Sequence, residues 1–262
     1  MSARSKRNNQ PAWEKLVRRL CFLAGLALIA LPFCQAAQAG SFTPAQRAEI
    51  IEIVRQAMQQ DPTILEDAVT AWRASQAQQR QAAAQQAIAA NQQALYSPAD
   101  PSAGPADARV TVIEFFDPRC PYCRQVDPML SLWQQHDPEI RIVYKDLPIL
   151  GPPSVIGSHA SLAAQKQGAY LKFRAALMSS PPNIDEAMVH RISDQLGLDW
   201  AKLQTDMKDP TIDQRLAANE QLSQKLGIQG TPAFVVGRQL VVGSSLADVQ
   251  AAAANALKAA KP

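Results

Sequence analysis

Cys120 and Cys123 are separated only by Pro121 and Tyr122. This Cys-x-x-Cys spacing suits thiol–disulfide exchange or one half of a zinc site. Zinc takes four ligands. Beyond residue 39 the chain has no other cysteine, and His136, His159 and His190 are scattered without ligand spacing. No metal or other cofactor is therefore expected, and redox chemistry is the reading that remains. In that chemistry the outer thiol, Cys120, attacks a substrate disulfide, and the inner thiol, Cys123, resolves the mixed disulfide. The attacking form is the thiolate. Cys120 is read as exposed at a helix start, where the macrodipole and unpaired N–H groups favour the anion, with Cys123 shielded one turn on. Arg119 and Arg124 flank the pair and are expected to lower the Cys120 pKa, into the ~3.5–7 range of such motifs.

The flanking residues supply the elements that hold the pair. Val110 to Phe116 is β-branched and aromatic, the composition of a buried strand. From Cys120 to Gln135 the pattern is helical, with Val126, Met129, Leu130 and Trp133 at spacings of three and four. Pro128 lies inside that helix and is expected to kink it. Ile140 to Tyr144 reads as the next strand, with a Pro-rich loop after it. Residues 154–226 are helical in pattern. Ser154 is the expected first N-cap, and Gly197 and Gly227 are expected just past helix ends. Gly230 to Gly237 reads as a strand entered through a Thr231-Pro232 turn. Arg238 to Gly243 is its hairpin partner, and Leu246 to Ala260 a last helix. The order is β-α-β, a helical block, then β-β-α.

The 262 residues carry 26 Lys/Arg and 23 Asp/Glu. Residues 1–39 hold six of the basic and one of the acidic residues, so the remainder has 20 basic against 22 acidic. Without a basic excess, nucleic acid is excluded as the expected partner. Residues 1–39 have the build of a signal peptide. Arg4 to Arg19 is basic, Leu20 to Phe33 is apolar, and Ala37-Gln38-Ala39 offers small residues for cleavage. The alternative is an uncleaved anchor, although the apolar run falls short of the ~20 residues of a membrane span.

Residues 41–96 differ in composition from the rest of the chain. Thr43-Pro44 opens a helix whose apolar face is Ile50, Ile51, Val54 and Met58. Asp61-Pro62 opens a second, carrying Ile64, Leu65, Ala68, Val69 and Trp72. From Ala74 to Ala94 it is almost wholly Ala and Gln. Such a segment is a strong helix former with little to bury alone. It reads as an oligomerisation arm or as a solvated stalk. Residues 97–108, with Pro98, Pro101, Gly104 and Pro105, read as a linker to a main domain at 109–262.

The stretch Glu-Phe-Phe-Asp-x-x-Cys-Pro-Tyr-Cys after a strand resembles the DsbA-like thiol–disulfide oxidoreductases of the thioredoxin superfamily. Pro128 matches the helix proline of that fold, Thr231-Pro232 its cis-proline loop, and Glu114 the acidic residue carried beneath the active site. The resemblance implies an α/β thioredoxin fold with an inserted helical domain at about 154–226. It also implies a proton-shuttling Glu114 of raised pKa. The alternative for Glu114 is a structural acid paired with Lys145 at the end of the next strand. It implies a cis Pro232 that leaves the Thr231 backbone free to pair with substrate, beside Pro121 and Tyr122. The Ala/Gln-rich arm is similar to the ScsC-like (suppressor of copper sensitivity) and Com1-like branch, some members of which trimerise and isomerise disulfides. That branch implies a periplasmic homo-oligomer, with a trimer favoured, kept reduced by a membrane thiol reductase of the DsbD/ScsB type. Two alternatives stand beside it: a monomeric dithiol oxidase served by a DsbB-like partner, and a Cu(I)-binding or holdase protein. Tyr122 departs from the Cys-Pro-His-Cys of the oxidase and places no imidazolium beside the thiolate.

Overall fold

The computed structural model describes residues 42–259. The expected signal peptide, residues 1–39, lies outside them. The described chain falls into two compact units, divided between Glu66 and Asp67.

In the first unit, α1 spans Pro44–Gln60. Its start is as the sequence dictates. The Thr43 hydroxyl accepts from the Gln46 N–H, the Gln46 side chain accepts from the Thr43 N–H, and Pro44 opens the first turn. None of its residues is buried, and Ile50, Ile51, Val54 and Met58 are all exposed. Asp61 Oδ1 accepts from the N–H of Thr63, where α2 (Thr63–Ala90) begins.

In the second unit, the end of α2 has a different character. Ala84 and Ile88 are buried there, as is Leu95 of the short α3 (Gln92–Leu95). Ile88 and Leu95 pack with Ile113, Phe115, Val143, Leu222, Leu226 and Val235. The last turns of the expected arm are thus neither solvated stalk nor free helix but one wall of this unit's core. The Ala/Gln composition hid this because two apolar residues, Ile88 and Leu95, supply the contact.

The expected linker is also structured. Ser102–Ala103 forms β1, paired antiparallel with β3 (Ile140–Asp146). Pro101 O accepts from Tyr144 N–H at 2.9 Å. Asp100 is buried in an ion pair with Lys145. Gly104 has a φ of 94°, and a Cβ there would lie 2.5 Å from Ile140 O. Pro and Gly here serve a fixed close approach rather than flexibility.

The five-stranded sheet has the order β1-β3-β2-β4-β5. Its centre is β2 (Val110–Phe116), parallel to β3 and antiparallel to β4 (Ala233–Val236), with β5 (Gln239–Val242) on the outer edge. Side chains alternate between the two faces. Val110, Val112, Phe116, Ile140, Ile142, Tyr144 and Phe234 join the core shared with α4 (Pro121–His136) and α10 (Leu246–Ala259). Ile113, Phe115, Val143, Ala233 and Val235 join the core closed by Ile88 and Leu95. A sheet covered on both faces explains why β2 reads as a continuous apolar run.

Between β3 and β4 lies the helical block: α5 (Pro152–Gln165), α6 (Tyr170–Ser179), α7 (Glu186–Gln195), α8 (Trp200–Asp206) and α9 (Pro210–Lys225). Gly197 and Gly227 adopt φ of 66° and 73° just past α7 and α9, as expected. Ser154 is not the cap of α5. Gly151 holds that position and Pro152 the first turn, so Ser154 is one turn in, buried, with its hydroxyl free for another partner. Among the described residues no helix is long and apolar enough to cross a membrane.

Replacing Ile88 with Ala removes a fully buried side chain from this core and is expected to cost about 2–5 kcal/mol. Denaturant titration of the chain from residue 67 onward checks it. An unchanged midpoint would return α2 to the status of a tether.

Candidate active site

The reactive pair sits where β2 gives way to α4. Cys120 is the N-cap of α4 with extended backbone (φ −63°, ψ 121°), and Pro121 is the first helical residue. Proline is suited to that position because its missing N–H would have no partner there and its φ is already helical. The turn is held from below by Asp117. Its Oδ1 accepts from the Arg119 N–H (2.7 Å) and from the Ser154 hydroxyl (2.8 Å), and its Oδ2 from the Leu150 N–H (2.9 Å). One buried carboxylate therefore ties the thiol turn to the loop and helix that come after β3.

Both cysteines are thiols. Cys123 is fully buried, as expected. Cys120 is more covered than expected, with 4% of its surface exposed. Across the site lies the cis Thr231–Pro232 peptide, with the Thr231 carbonyl oxygen 3.2 Å from Cys120 Sγ. Thr231 is half-buried and Pro232 buried, whereas Pro121 and Tyr122 are exposed on the rim. Ile149 and Leu150 add exposed apolar surface.

The two thiols are driven apart electrostatically. The Cys120 pKa is lowered to about 5. The hydrogen bond from the Cys123 thiol is the largest cause, and the Thr231 side chain and the N–H groups of Cys123 and Tyr122 add to it, against the opposing effect of burial. Cys123 is pushed far up, first by burial, then by its hydrogen bond to Cys120 and by the charge of Glu114. Arg119 and Arg124 are not among the main causes of the lowered Cys120 pKa. Arg119 is spent on the carbonyls of Pro182 (Nε, 2.9 Å) and Leu150. Arg124 is spent on those of Pro118 (Nε, 2.7 Å), Met178 and Ser180. Their charges staple the helical block to the thiol turn. Gly157 of α5 completes that close approach, since a Cβ there would meet Ile184 and Pro118 at 2.9 and 3.2 Å.

Glu114 is fully buried on β2, and burial raises its pKa to about 7, against the lowering effect of Arg174. Its mate is not Lys145. Glu114 registers with Tyr144 and Phe115 with Lys145, so alternation sends Lys145 to the opposite face of the sheet, where Asp100 and Ala94 O hold it. The cation beneath the thiols is Arg174 of α6. Its Nη2 donates to Glu114 Oε2 at 2.8 Å and its Nη1 to Asp127 of α4. The guanidinium lies 4.3 Å from the Phe116 ring centroid and 4.2 Å from that of Tyr144. Deeper in the same face, Asp146 accepts from the Tyr170 hydroxyl at 2.6 Å, and burial raises its pKa to about 6.

Arg174, Asp127, Asp146 and Asp117 were all missed by sequence reasoning. Two left a signal. Arg174 falls on the stripe Tyr170, Phe173, Arg174, Leu177, and Asp127 on the stripe Cys123, Val126, Asp127, Leu130. A charge at a core position of an amphipathic helix needs a buried counter-charge. Among the described residues no group of three or more His, Cys, Asp or Glu side chains gathers as a metal site.

Known proteins resemble this chain in sequence and fold. The curated relatives matched first are Na(+)/H(+) antiporters. The chain spans 22% of NhaA 3 from Salinispora tropica, with 29% identity over 145 residues, or 53% of this chain. It spans 73% of the thiol:disulfide interchange protein DsbA of Bordetella parapertussis, at 28% identity and 57% of its own length. Among solved structures, a thioredoxin-like oxidoreductase from Silicibacter pomeroyi is 41% identical, with a TM-score of 0.63 over 65% of this chain and 99% of that one. A linker-deletion mutant of Proteus mirabilis ScsC is 28% identical, with a TM-score of 0.62 over 84% of this chain and 99% of that one. The family model of the DSBA-like thioredoxin domain matches residues 111–254, which take in the thiol turn, the helical block and the Thr231–Pro232 loop. More than half of the chain is covered by that match, and the chain belongs to the DSBA-like thioredoxin domain family.

Proposed function

We propose that this protein is an exported, periplasmic thiol–disulfide oxidoreductase that works chiefly as a disulfide isomerase. What carries the reading is the split between the two thiols: the Cys120 pKa is lowered to about 5, which favours its thiolate at neutral pH, and burial pushes the Cys123 thiol far up one turn behind it. The Cys120 thiolate attacks one sulfur of a substrate disulfide. A Cys120–substrate bond forms, and the other substrate sulfur leaves as a thiolate. In an isomerase that released thiolate attacks a different disulfide of the same substrate, and a substrate thiolate finally displaces Cys120. Where no rearrangement succeeds, Cys123 gives its proton to Glu114 and attacks Cys120 sulfur. The substrate is released reduced and the pair oxidised.

Thr231 and Pro232 face Cys120 and are suited to pairing with an extended substrate backbone. Pro121 and Tyr122 form the exposed rim that substrate side chains meet. A stabilised thiolate favours the reduced pair, the form an isomerase needs. A membrane thiol reductase of the DsbD/ScsB type restores that form after each oxidation.

Oligomerisation is the second part of the reading. Ile50, Ile51, Val54 and Met58 occupy one side of α1, and each is at least 40% exposed. Such a face is covered in a helix that persists in water. A trimer of copies meeting through it would place several thiol pairs on one misfolded substrate and raise their effective concentration.

Two measurements test this. Alkylation of reduced protein by iodoacetamide is expected to modify Cys120 selectively, with a rate that rises through about pH 5 and is flat by pH 7. A midpoint near the ~8.5 of a free cysteine would remove the basis of the reading. Deleting residues up to Glu66 spares Ile88 and Leu95. Solution mass should then drop to that of a monomer, and refolding of a scrambled-disulfide substrate should be lost while oxidation of a reduced one persists. A full-length monomer that oxidises but does not unscramble would instead make this a dithiol oxidase with a DsbB-like partner.

A further inference from the structure

Resolution of the mixed disulfide requires that Cys123, a buried thiol, lose its proton inside the protein. The structure surrounds that event with an unusual balance of charge. Glu114 of β2, Asp127 of α4 and Asp146 of β3 lie on one face of the sheet with the Arg174 guanidinium of α6 and the hydroxyls of Tyr144 and Tyr170, and Arg215 of α9 also bears on Asp146. Arg124 of α4 lies close enough to Cys123 and Asp117 to feel their charges, and Glu114 and the thiols each feel the other's charge. At Glu114 burial outweighs the opposing charge of Arg174, and its pKa stands at about 7.

Arg174 is held at both terminal nitrogens and stacked between two rings, while its buried Nε has no hydrogen-bond partner. The Phe116 and Tyr144 rings fix the plane of the guanidinium, Nη1 is fixed by Asp127, and Nη2 takes Glu114 Oε2. The other carboxylate oxygen, Glu114 Oε1, is buried and has no hydrogen-bond partner. An unpaired buried carboxylate oxygen is costly unless something comes to occupy it. We infer that Arg174, contributed by the helical block, is a positioning residue: it clamps one oxygen of Glu114 and leaves the other as the acceptor of the Cys123 proton. The inference rests on the exchange reading above. In this step the Cys123 S–H proton passes to Glu114 Oε1. The resulting thiolate forms a bond to Cys120 sulfur, the Cys120–substrate bond breaks, and the substrate sulfur leaves with the electron pair.

The clamp also sets when Glu114 can act. Arg174 lowers the pKa that burial raises, so removing its charge keeps Glu114 protonated to higher pH and delays its service as a base. Lysine carries the charge, but a single ammonium cannot reproduce the planar fork between two carboxylates.

Reduced full-length protein is mixed with oxidised glutathione, quenched in acid, and monitored by mass from pH 5 to 9. Formation of the Cys120–glutathione disulfide reports attack, and its decay reports resolution. Arg174→Met is expected to slow decay by about tenfold or more, move its pH midpoint to higher pH, and leave formation within about twofold of wild type. Arg174→Lys should bring the midpoint back towards wild type without restoring the full decay rate. Arg174→Met combined with Glu114→Gln should decay no more slowly than Glu114→Gln alone, and removing both partners avoids a lone buried charge. If Arg174→Met does not fold, Arg174→Lys decides. Wild-type decay rate and midpoint in the folded variants, or equal loss of formation and decay, would overturn the positioning role while the exchange reading survives. A wild-type protein that forms no mixed disulfide would overturn both.

Discussion

Apart from half-buried Thr111 and Arg141, every side chain of β2 and β3 is buried on one of two faces, and most of the site is a consequence of that constraint. The sheet is covered on both sides, so no residue in its centre can escape to water. Charged residues there must find partners within their own face. Glu114 and Asp146 fall to the face that α4 and the helical block cover, and Lys145 falls to the other. The strands thus deliver two carboxylates to the thiol side and no cation. The cation has to come from outside the sheet, and Arg174 of α6 supplies it. The helical block is in this sense part of the site's electrostatics as well as its scaffold.

The same block is fastened to the thiol turn by groups that carry charge but end on neutral partners. Arg119 and Arg124 reach carbonyls at both sides of the α6–α7 connection and in the loop after β3. Asp117 collects donors from the turn, the loop and α5. Hydrogen bonds to a charged group are worth about 1.5–3 kcal/mol each, more than neutral ones. Several such bonds around one short turn hold the position of Cys120 to within the tolerance that thiol attack requires.

Much of this was legible in the sequence. The order of strands and helices, the seam between β2 and α4, the burial of Glu114 and the opposition of Thr231-Pro232 to the thiols could be read from composition, spacing and family resemblance. Misreadings had physical causes. Lys145 looked like the partner of Glu114 because it is close along the strands, but period-two alternation separates them. Arg119 and Arg124 looked like thiolate stabilisers because sequence proximity says nothing of where a long side chain ends. Residues 97–108 looked loose because Pro and Gly serve tight packing as well as turns, and Asp100 gave no sign of its burial. Arg174 was visible only as a charge on an apolar stripe. Its partners lie 47 and 60 residues away along the chain.

The stabilisation of the Cys120 thiolate comes from a neighbouring thiol, the Thr231 side chain and the first N–H groups of α4. These are dipoles at hydrogen-bond contact, enclosed by the Thr231–Pro232 loop. Mobile ions weaken interactions between charges separated by more than a Debye length, about 8 Å at 0.15 M salt, and have little purchase on contacts this short. Arg119 and Arg124 keep their charges but end on carbonyls, and neither is a main cause of the lowered Cys120 pKa. The readiness of Cys120 to react is therefore set chiefly inside the protein and depends little on ionic strength. That suits the proposed exported enzyme, whose surroundings have a salt content the cell does not control.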